Sequence, residues 1–518
     1  MNTAFKNKMS FEKKLAFFVS CAALFIAGAA TAKPGDADKG KVIYDKRCTW
    51  CHGAEGDGAG AAKERLNPPP RDFTSGSYKI RTSSFEDIAP NDDDIFRMIR
   101  DGMPGTSMPG WSSLLTEQEM WDLVAYVKAF AGYEEPPGKQ VDFGTQISSS
   151  SESIEKGRKL FEEGDRCVEC HGKSGKGNAS KRLKGDAGER TWPRNLTKPW
   201  TYRGSSDPKD IFARISTGIA GTEMPSFADP KSKKSLAIEE RWHVANYVAS
   251  LSRAGNKVDA ENTVIKAAKV EGDLPGSTED PRWEEATPTT FYLVPQLVGE
   301  ERYFKPSNDT LTVRAFYDSK RIAILLEWDD RTRSIPGDEK AEKLADAPMV
   351  EDGVAVQLPV VLQKGMEKPY FGMGDAKHPV NIWHWKSGTR DVPENIQLFN
   401  SRGFREIEHR DAVAVGLEAK ASYNDGTWRV LMTRPLVTPT PEKDIQFSEG
   451  SFIPVAFAAW DGSNNSEKGS RHTMTTWYWL LLKPATGSLP LFAALIVMCL
   501  FAGGLFWWAR NSVTRPSA

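Results

Sequence analysis

A duplication constrains this chain more than any other feature. Gly40-Lys-Val-Ile-Tyr44 leads to Cys48-Thr-Trp-Cys51-His52, and Gly157-Arg-Lys-Leu-Phe161 leads to Cys167-Val-Glu-Cys170-His171. Downstream, Pro70-Arg71-Asp72-Phe73-Thr74 matches Pro193-Arg194-Asn195-Leu196-Thr197, and Ile95-Phe96 matches Ile211-Phe212. Gly105-Thr-Ser-Met108-Pro109 then matches Gly221-Thr-Glu-Met224-Pro225. Each copy closes on a helical pattern, Trp121 to Phe130 and Trp242 to Leu251. Such a repeat predicts two small domains built alike, at 33–135 and 153–255. Residues 136–152 between them, with Pro136-Pro137-Gly138 and four consecutive serines, have the composition of a flexible linker.

The C-x-x-C-H motif carries the chemistry. Two cysteines three apart lie on one side of a helical turn and can form thioethers with both vinyl groups of one haem. The adjacent His52 or His171 is then placed to bind iron. A zinc site would need two further Cys or His ligands per pair. The chain has six cysteines and seven histidines, at spacings that do not supply them. Cys48, Cys51, Cys167 and Cys170 are therefore expected to hold two covalent c haems. The repeat also selects the second iron ligand. Met103 aligns with Ile219, which cannot ligate, whereas Met108 and Met224 occupy equivalent positions in a stiff Gly-Thr-x-Met-Pro loop. His/Met ligation raises the reduction potential relative to bis-His. Arg71 and Arg194 could reach haem propionates, and a solvated surface role is the competing assignment. Residues 35–133 and 153–253 resemble class I cytochromes c. The resemblance implies two all-α shells, each around a haem with one exposed edge, that move electrons without transforming a substrate.

The second half, 256–485, changes pattern. Ile322, Ile324, Leu326 and Trp328 alternate with Ala323, Leu325 and Glu327, which is strand period. At least eight such runs, separated by Gly, Pro, Asp and Asn turns, predict an all-β sandwich. It contains no cysteine, so any cofactor there is held without a covalent bond. Asp280-Pro-Arg-Trp283, Trp328-Asp-Asp330, Gly353-Val-Ala-Val-Gln-Leu-Pro359, Pro369-Tyr-Phe-Gly-Met-Gly374, Val380-Asn-Ile-Trp-His-Trp-Lys386 and Ala459-Trp-Asp-Gly462 follow in order. They resemble the haem b-binding gamma subunits of ethylbenzene dehydrogenase and related molybdenum enzymes. In that family a b haem sits between a Met and a Lys. Met373 matches the Met; it is also a loop residue flanked by glycines, which lets a flat ring approach, although a core-filling Met fits the same pattern. The family's lysine falls near Lys468-Gly-Ser-Arg-His-Thr-Met474. There His472 can ligate iron, with Lys468 as the alternative, since Arg471 cannot. Trp383, Trp385 and Trp477 are candidates to flank the ring, or plain core.

The two ends and the charge complete the expectation. Residues 1–32 have a basic start, an apolar stretch and Ala30-Thr-Ala32, the pattern of an export signal. Leu489 to Trp508 is twenty residues without a charge, followed by Arg510 and Arg515. That predicts one C-terminal transmembrane helix in lipid at 489–508, leaving the bulk on the periplasmic side and a short cytoplasmic tail. The net charge of −1 argues against nucleic-acid partners. The resemblances imply an electron-transfer subunit, itself non-catalytic. Its expected partners are a molybdenum catalytic subunit and an iron–sulfur subunit, as in nitrite oxidoreductase or nitrate reductase systems. A soluble cytochrome or an oxidase would take or give the electrons. Two other readings stay open: a dihaem cytochrome fused to a carbohydrate-binding or docking sandwich, and a dihaem partner of a terminal oxidase. Exposed tryptophans on one sandwich face would favour the sugar reading; Met373 beside a ring-sized cleft would not.

Overall fold

A computed structural model describes residues 35–513, apart from 67, 88, 133–138, 180, 186–187, 189, 253–257, 296–305, 346–347, 363–366, 465–471 and 485–488. The expected export signal at 1–32 and the alternative ligand Lys468 lie outside the described residues. The chain divides into two compact units. One is Met1–Phe143 with Ala213–Ala220 and Ser226–Pro230; the other is Gly144–Phe212, Gly221–Pro225 and Lys231–Ala518.

The first copy has helices α1 (Ala37–Arg47), α2 (Thr49–His52), α3 (Asp92–Asp101) and α4 (Glu117–Ala129). The second repeats them as α5 (Ser151–Glu162), α6 (Val168–His171), α7 (Pro208–Thr217) and α8 (Ile238–Ser250). The first and last helices of each copy cross at a glycine. A Cβ on Gly40 would stand 2.0 Å from the Asp122 carbonyl oxygen, and one on Gly157 would stand 2.0 Å from that of His243. Only a residue without Cβ permits that approach. Beside the crossings Tyr44 meets Tyr126 edge-on at 5.2 Å between ring centres, and Phe161 meets Tyr247 at 5.3 Å. Phe96 stacks on Trp121 at 4.3 Å and Phe212 on Trp242 at 4.4 Å. Within the segment of linker composition, Ser150 caps α5 by accepting from the Ser153 N–H, and Gln140 hydrogen-bonds Asn91.

The second half is β-rich, as its alternation predicts. In chain order its strands are β1 (Val264–Lys269), β2 (Thr289–Tyr292), β3 (Val294–Pro295), β4 (Thr310–Tyr317), β5 (Arg321–Asp329), β6 (Gly353–Pro359) and β7 (Val380–Lys386). They continue with β8 (Asn395–Ser401), β9 (Ile407–Arg410), β10 (Glu418–Asn424), β11 (Thr427–Pro435), β12 (Phe452–Trp460), β13 (His472–Met474) and β14 (Tyr478–Leu482). Pairing runs β9-β8-β7-β6-β12-β14-β1-β4-β5-β11-β10, antiparallel except where β1 joins β14 and β4. The path folds over one core holding Trp328, Trp383, Trp385 and Trp428. Trp383 and Trp385 are thus core residues, not flanks of a ring. Both faces of β5 are buried. Ile322, Ile324, Leu326 and Trp328 enter the main core, while Ala323 and Leu325 pack under Trp283.

The second copy and the sandwich belong to the same unit and share a buried ionic contact. Lys198 pairs with Asp309 and, at 3.2 Å, with Asp329; Lys176 reaches Asp329 at 3.2 Å. Burial works against the Lys198 charge, but the two carboxylates outweigh it and push its pKa up to about 12. Burial likewise opposes the Asp329 charge, and the two lysines outweigh it, bringing its pKa down to about 2. The loop after the second C-x-x-C-H adds two bonds to the β10–β11 turn: Asp425 accepts from the Ser174 N–H at 3.1 Å and from Asn178 at 3.0 Å.

The C-terminal expectation is corrected. The segment is helical, Leu489–Val513, with side chains described only from Ile496 to Arg510. Among the described residues no helix is long and apolar enough to cross a membrane. The single-pass anchor, its contact with lipid and the periplasmic location built on it are withdrawn.

Removing one charge from the ionic contact leaves another buried without its partner. Lys198→Ala is expected to lower stability by ~3 kcal/mol in denaturant titration, near the low end for a broken buried pair because Lys176 remains. The Asp329 contribution should be complete above about pH 4 and fade as pH falls towards 2, since its folded pKa lies below its unfolded one. A stability profile of Asp329→Asn that falls just as steeply over that range would contradict this.

Candidate functional site

In each copy the one-turn helix α2 or α6 starts directly at the first cysteine. Burial, then the neighbouring Cys51, pushes the Cys48 thiol up to about 12, and burial pushes Cys167 up to about 12. These are neutral thiols in apolar surroundings. Among the described residues neither cysteine pair gathers a third metal-ligating side chain. The histidines are fixed by a backbone carbonyl that sequence reading missed. His52 Nδ1 lies 3.1 Å from the Arg71 carbonyl oxygen, and His171 Nδ1 lies 3.3 Å from that of Arg194. A carbonyl only accepts, so Nδ1 bears the proton and the Nε2 lone pair is left for a metal. Burial lowers the pKa of both rings and keeps them neutral.

The methionine loops match as closely. Met108 N–H donates to Thr106 Oγ1 at 3.2 Å, and Met224 N–H donates to Thr222 Oγ1 at 3.2 Å. The side chains of Arg71 and Arg194 make no hydrogen bond or ion pair among the described residues, although burial lowers the pKa of both. For Arg194, burial followed by Arg203 and Arg331 brings it to about 10. An anionic group such as a propionate fits that position. The copies also differ: Tyr44 Oη donates to the Gly53 carbonyl oxygen at 2.8 Å, where Phe161 has no hydroxyl, and Phe73 stacks on His52, where the second copy has Leu196.

The sandwich holds a cavity of about 610 Å³ on the outer face of β12, β6 and β7. Its floor is made of small residues: Gly353 and Ala355 on β6, Ala456 and Ala458 on β12. Met373 and His472, the two sequence-selected residues, both line it. Met373 has φ of 69°, a left-handed conformation that strains a residue with a side chain. Its loop is held by Gln357, which accepts from the Met373 N–H and donates to the Phe371 carbonyl oxygen at 2.8 Å. Met373 and Trp477 both pack against Ala355, Val380 and Ile382.

His384 also lines the cavity and was unassigned from sequence. Burial, with Lys386 a smaller influence, lowers its pKa to about 4, so the imidazole is neutral. Its ring lies 4.6 Å from Trp460, which in turn lies 5.6 Å from His472. A Cβ on Gly353 would stand 3.1 Å from His384 Nε2, so glycine gives that ring its room. The signal was present in strand parity. With Trp383 and Trp385 facing the core, Ile382, His384 and Lys386 must face outward.

Comparison with known proteins agrees with this division. The cytochrome c family model matches residues 37–130 and 154–252, and the ethylbenzene dehydrogenase model matches 280–412 and 401–472. The first half of the chain belongs to the cytochrome c family, and the second half matches the ethylbenzene dehydrogenase model. Chlorate reductase subunit gamma of Ideonella dechloratans is 26% identical, over 48% of this chain and 96% of that protein. Dimethylsulfide dehydrogenase subunit gamma of Rhodovulum sulfidophilum is 29% identical, over 36% of this chain and 64% of that protein. Cytochrome c55X of Paracoccus denitrificans (strain Pd 1222) is 33% identical, over 18% of this chain and 79% of that protein.

Cytochrome c domains carry covalent haem, and the two sites here are separate pairs of cysteines. Replacing Cys167 and Cys170 together by Ala should halve the covalent haem per chain, read as pyridine haemochrome against protein concentration. Loss of all haem, or of none, would contradict two independent attachment sites.

Proposed function

We propose that this chain is the electron-transfer subunit of a molybdenum and iron–sulfur oxidoreductase, with two c haems and one b haem. His52 with Met108, and His171 with Met224, would be the axial pairs of the c haems. Arg71 and Arg194 would meet their propionates. Met373 and His472 would hold the b haem in the sandwich cavity. Each haem supplies a one-electron couple, whose potential the protein tunes through axial ligand, hydrogen bonds and burial.

The residues of the chain do the holding and tuning. The Arg71 and Arg194 carbonyls orient the imidazoles and raise their basicity. The Thr106 and Thr222 hydroxyls fix the methionine loops. Gln357 keeps the strained Met373 loop in place, and the Gly/Ala floor admits a flat ring. The observation that supports this reading most is convergence: Met373 and His472, a hundred residues apart, face one small-residue cavity. The curated relatives named as gamma subunits act in different enzymes, which fits a relay whose partner chooses the substrate. Nitrite oxidoreductase or nitrate reductase is the setting we favour, with a soluble cytochrome or an oxidase at the other end of the relay.

The carbohydrate-binding reading loses its supporting feature. Among the described residues no tryptophan of the sandwich is exposed.

A haem count tests the proposal. Acid acetone should extract b haem and leave c haem on the protein, in a ratio of one to two by pyridine haemochrome. Met373→Ala and His472→Ala should each reduce the extracted b haem severalfold and leave the c haem unchanged. An intact protein with two c haems and no b haem would remove the cofactor from the sandwich. Full b haem in His472→Ala would move the second ligand elsewhere, with His384 the next to test.

A further inference from the structure

The motifs Trp328-Asp-Asp330 and Ala459-Trp-Asp-Gly462 carry aspartates that do not line the cavity. Their aspartates meet at one end of the domain. Asp330 follows β5, Asp352 precedes β6 and Asp461 follows β12. One carboxylate oxygen of each lies within 4.8 Å of the others, and all three side chains are buried, Asp330 and Asp352 at 0% exposure.

Their hydrogen bonds are unequal. Asp352 accepts from the Gly462 N–H at 2.8 Å, the Ser334 N–H at 2.6 Å and the Trp428 indole at 2.9 Å. Asp461 accepts from Ser307 Oγ at 2.7 Å and from the Ser463 hydroxyl at 2.6 Å. Asp330 Oδ1 accepts from the Thr332 N–H at 3.1 Å, but Oδ2 has no hydrogen-bond partner. A fully buried carboxylate oxygen without a partner is costly. No basic side chain pairs with Asp330 or Asp352 among the described residues. The adjacent Arg331 lies over the Trp192 ring, 5.2 Å from its centre.

We propose that Asp330, Asp352 and Asp461 bind a calcium ion. Two oxygens on one calcium at ~2.4 Å can be at most about 4.8 Å apart, which the cluster satisfies. Its side-chain donors are all oxygen, with no Cys or His, so a hard cation is indicated over zinc or copper. Calcium is preferred to magnesium because magnesium usually keeps several waters, which a site this deeply buried disfavours. The ion would supply the partner that Asp330 Oδ2 lacks. It would also offset the mutual repulsion that, after burial itself, raises the pKa of Asp330 well above the carboxylate range and that of Asp352 to about 8. This site is independent of the haem assignment.

The test uses the full-length haem protein, stripped with a chelator and desalted. Calcium alone is added back, and both bound metal and Tm are measured. One calcium per chain and a clear rise in Tm are expected, with the c-haem spectrum unchanged. Asp330→Asn should abolish the calcium-dependent rise while its metal-free Tm equals or exceeds that of stripped wild type, because a buried charge is gone. Asp352→Asn is the second variant should the first not accumulate. A wild-type protein that retains no calcium and shows no shift in Tm would overturn the proposal; its carboxyl groups would then be sharing protons. An Asp330→Asn variant that binds calcium as wild type does would overturn it as well.

Discussion

Parity along the strands is the constraint on which the second half depends. A strand gives alternate side chains to opposite faces, and along β5, β6 and β7 both faces are largely buried. On β7 the choice is visible in sequence: two tryptophans at alternate positions must go to one side, and they go to the core. His384 between them and Lys386 after them are then sent outward, to the cavity. On β6 the same rule sends Val354, Val356 and Leu358 inward and leaves Gly353, Ala355 and Gln357 outside. Core and cavity are therefore two sides of one pattern. Enlarging a floor residue closes the cavity without touching the core.

The helical half obeys a different economy. One solution was found and used twice: a glycine crossing, an aromatic pair beside it, a one-turn helix carrying the ligands, and a carbonyl behind each histidine. Both copies use the same contacts to place the histidine beside its cysteine pair. The Tyr44 hydroxyl bond to Gly53, missing at Phe161, marks where the copies are free to differ. A hydrogen bond beside the attachment turn in one copy only is a means of giving two similar centres different potentials.

Much of this could be read from the sequence, because repeats and alternation are local signals. The cysteines, the histidines, the equivalent methionines and the β-domain all follow from spacing. The Arg71 and Arg194 carbonyls could not be read, because any residue has a carbonyl and only the fold selects one. Trp383 and Trp385 were ambiguous until the inward face was known. The three clustered aspartates lie in separate segments, and only strand order brings them together. The charged contact of Lys198 and Lys176 with Asp329 has the same cause, since it links two domains far apart in the chain. The C-terminal expectation rested on composition and length alone, and among the described residues no helix is long and apolar enough to cross a membrane.

Asp329 and Asp330 are neighbours with opposite surroundings. The first is held ionised by two lysines of the helical domain, and the second points into a pocket of other acids. A single peptide bond divides them, and β5 fixes which faces which way. Insertion of one residue in β5 would carry Asp329 into the acidic pocket and leave Trp328 facing the lysines, while deletion would carry Arg331 into the acidic pocket. This stretch should therefore tolerate substitution far better than any change in length, and gaps among natural variants should cluster in the turns on either side of it.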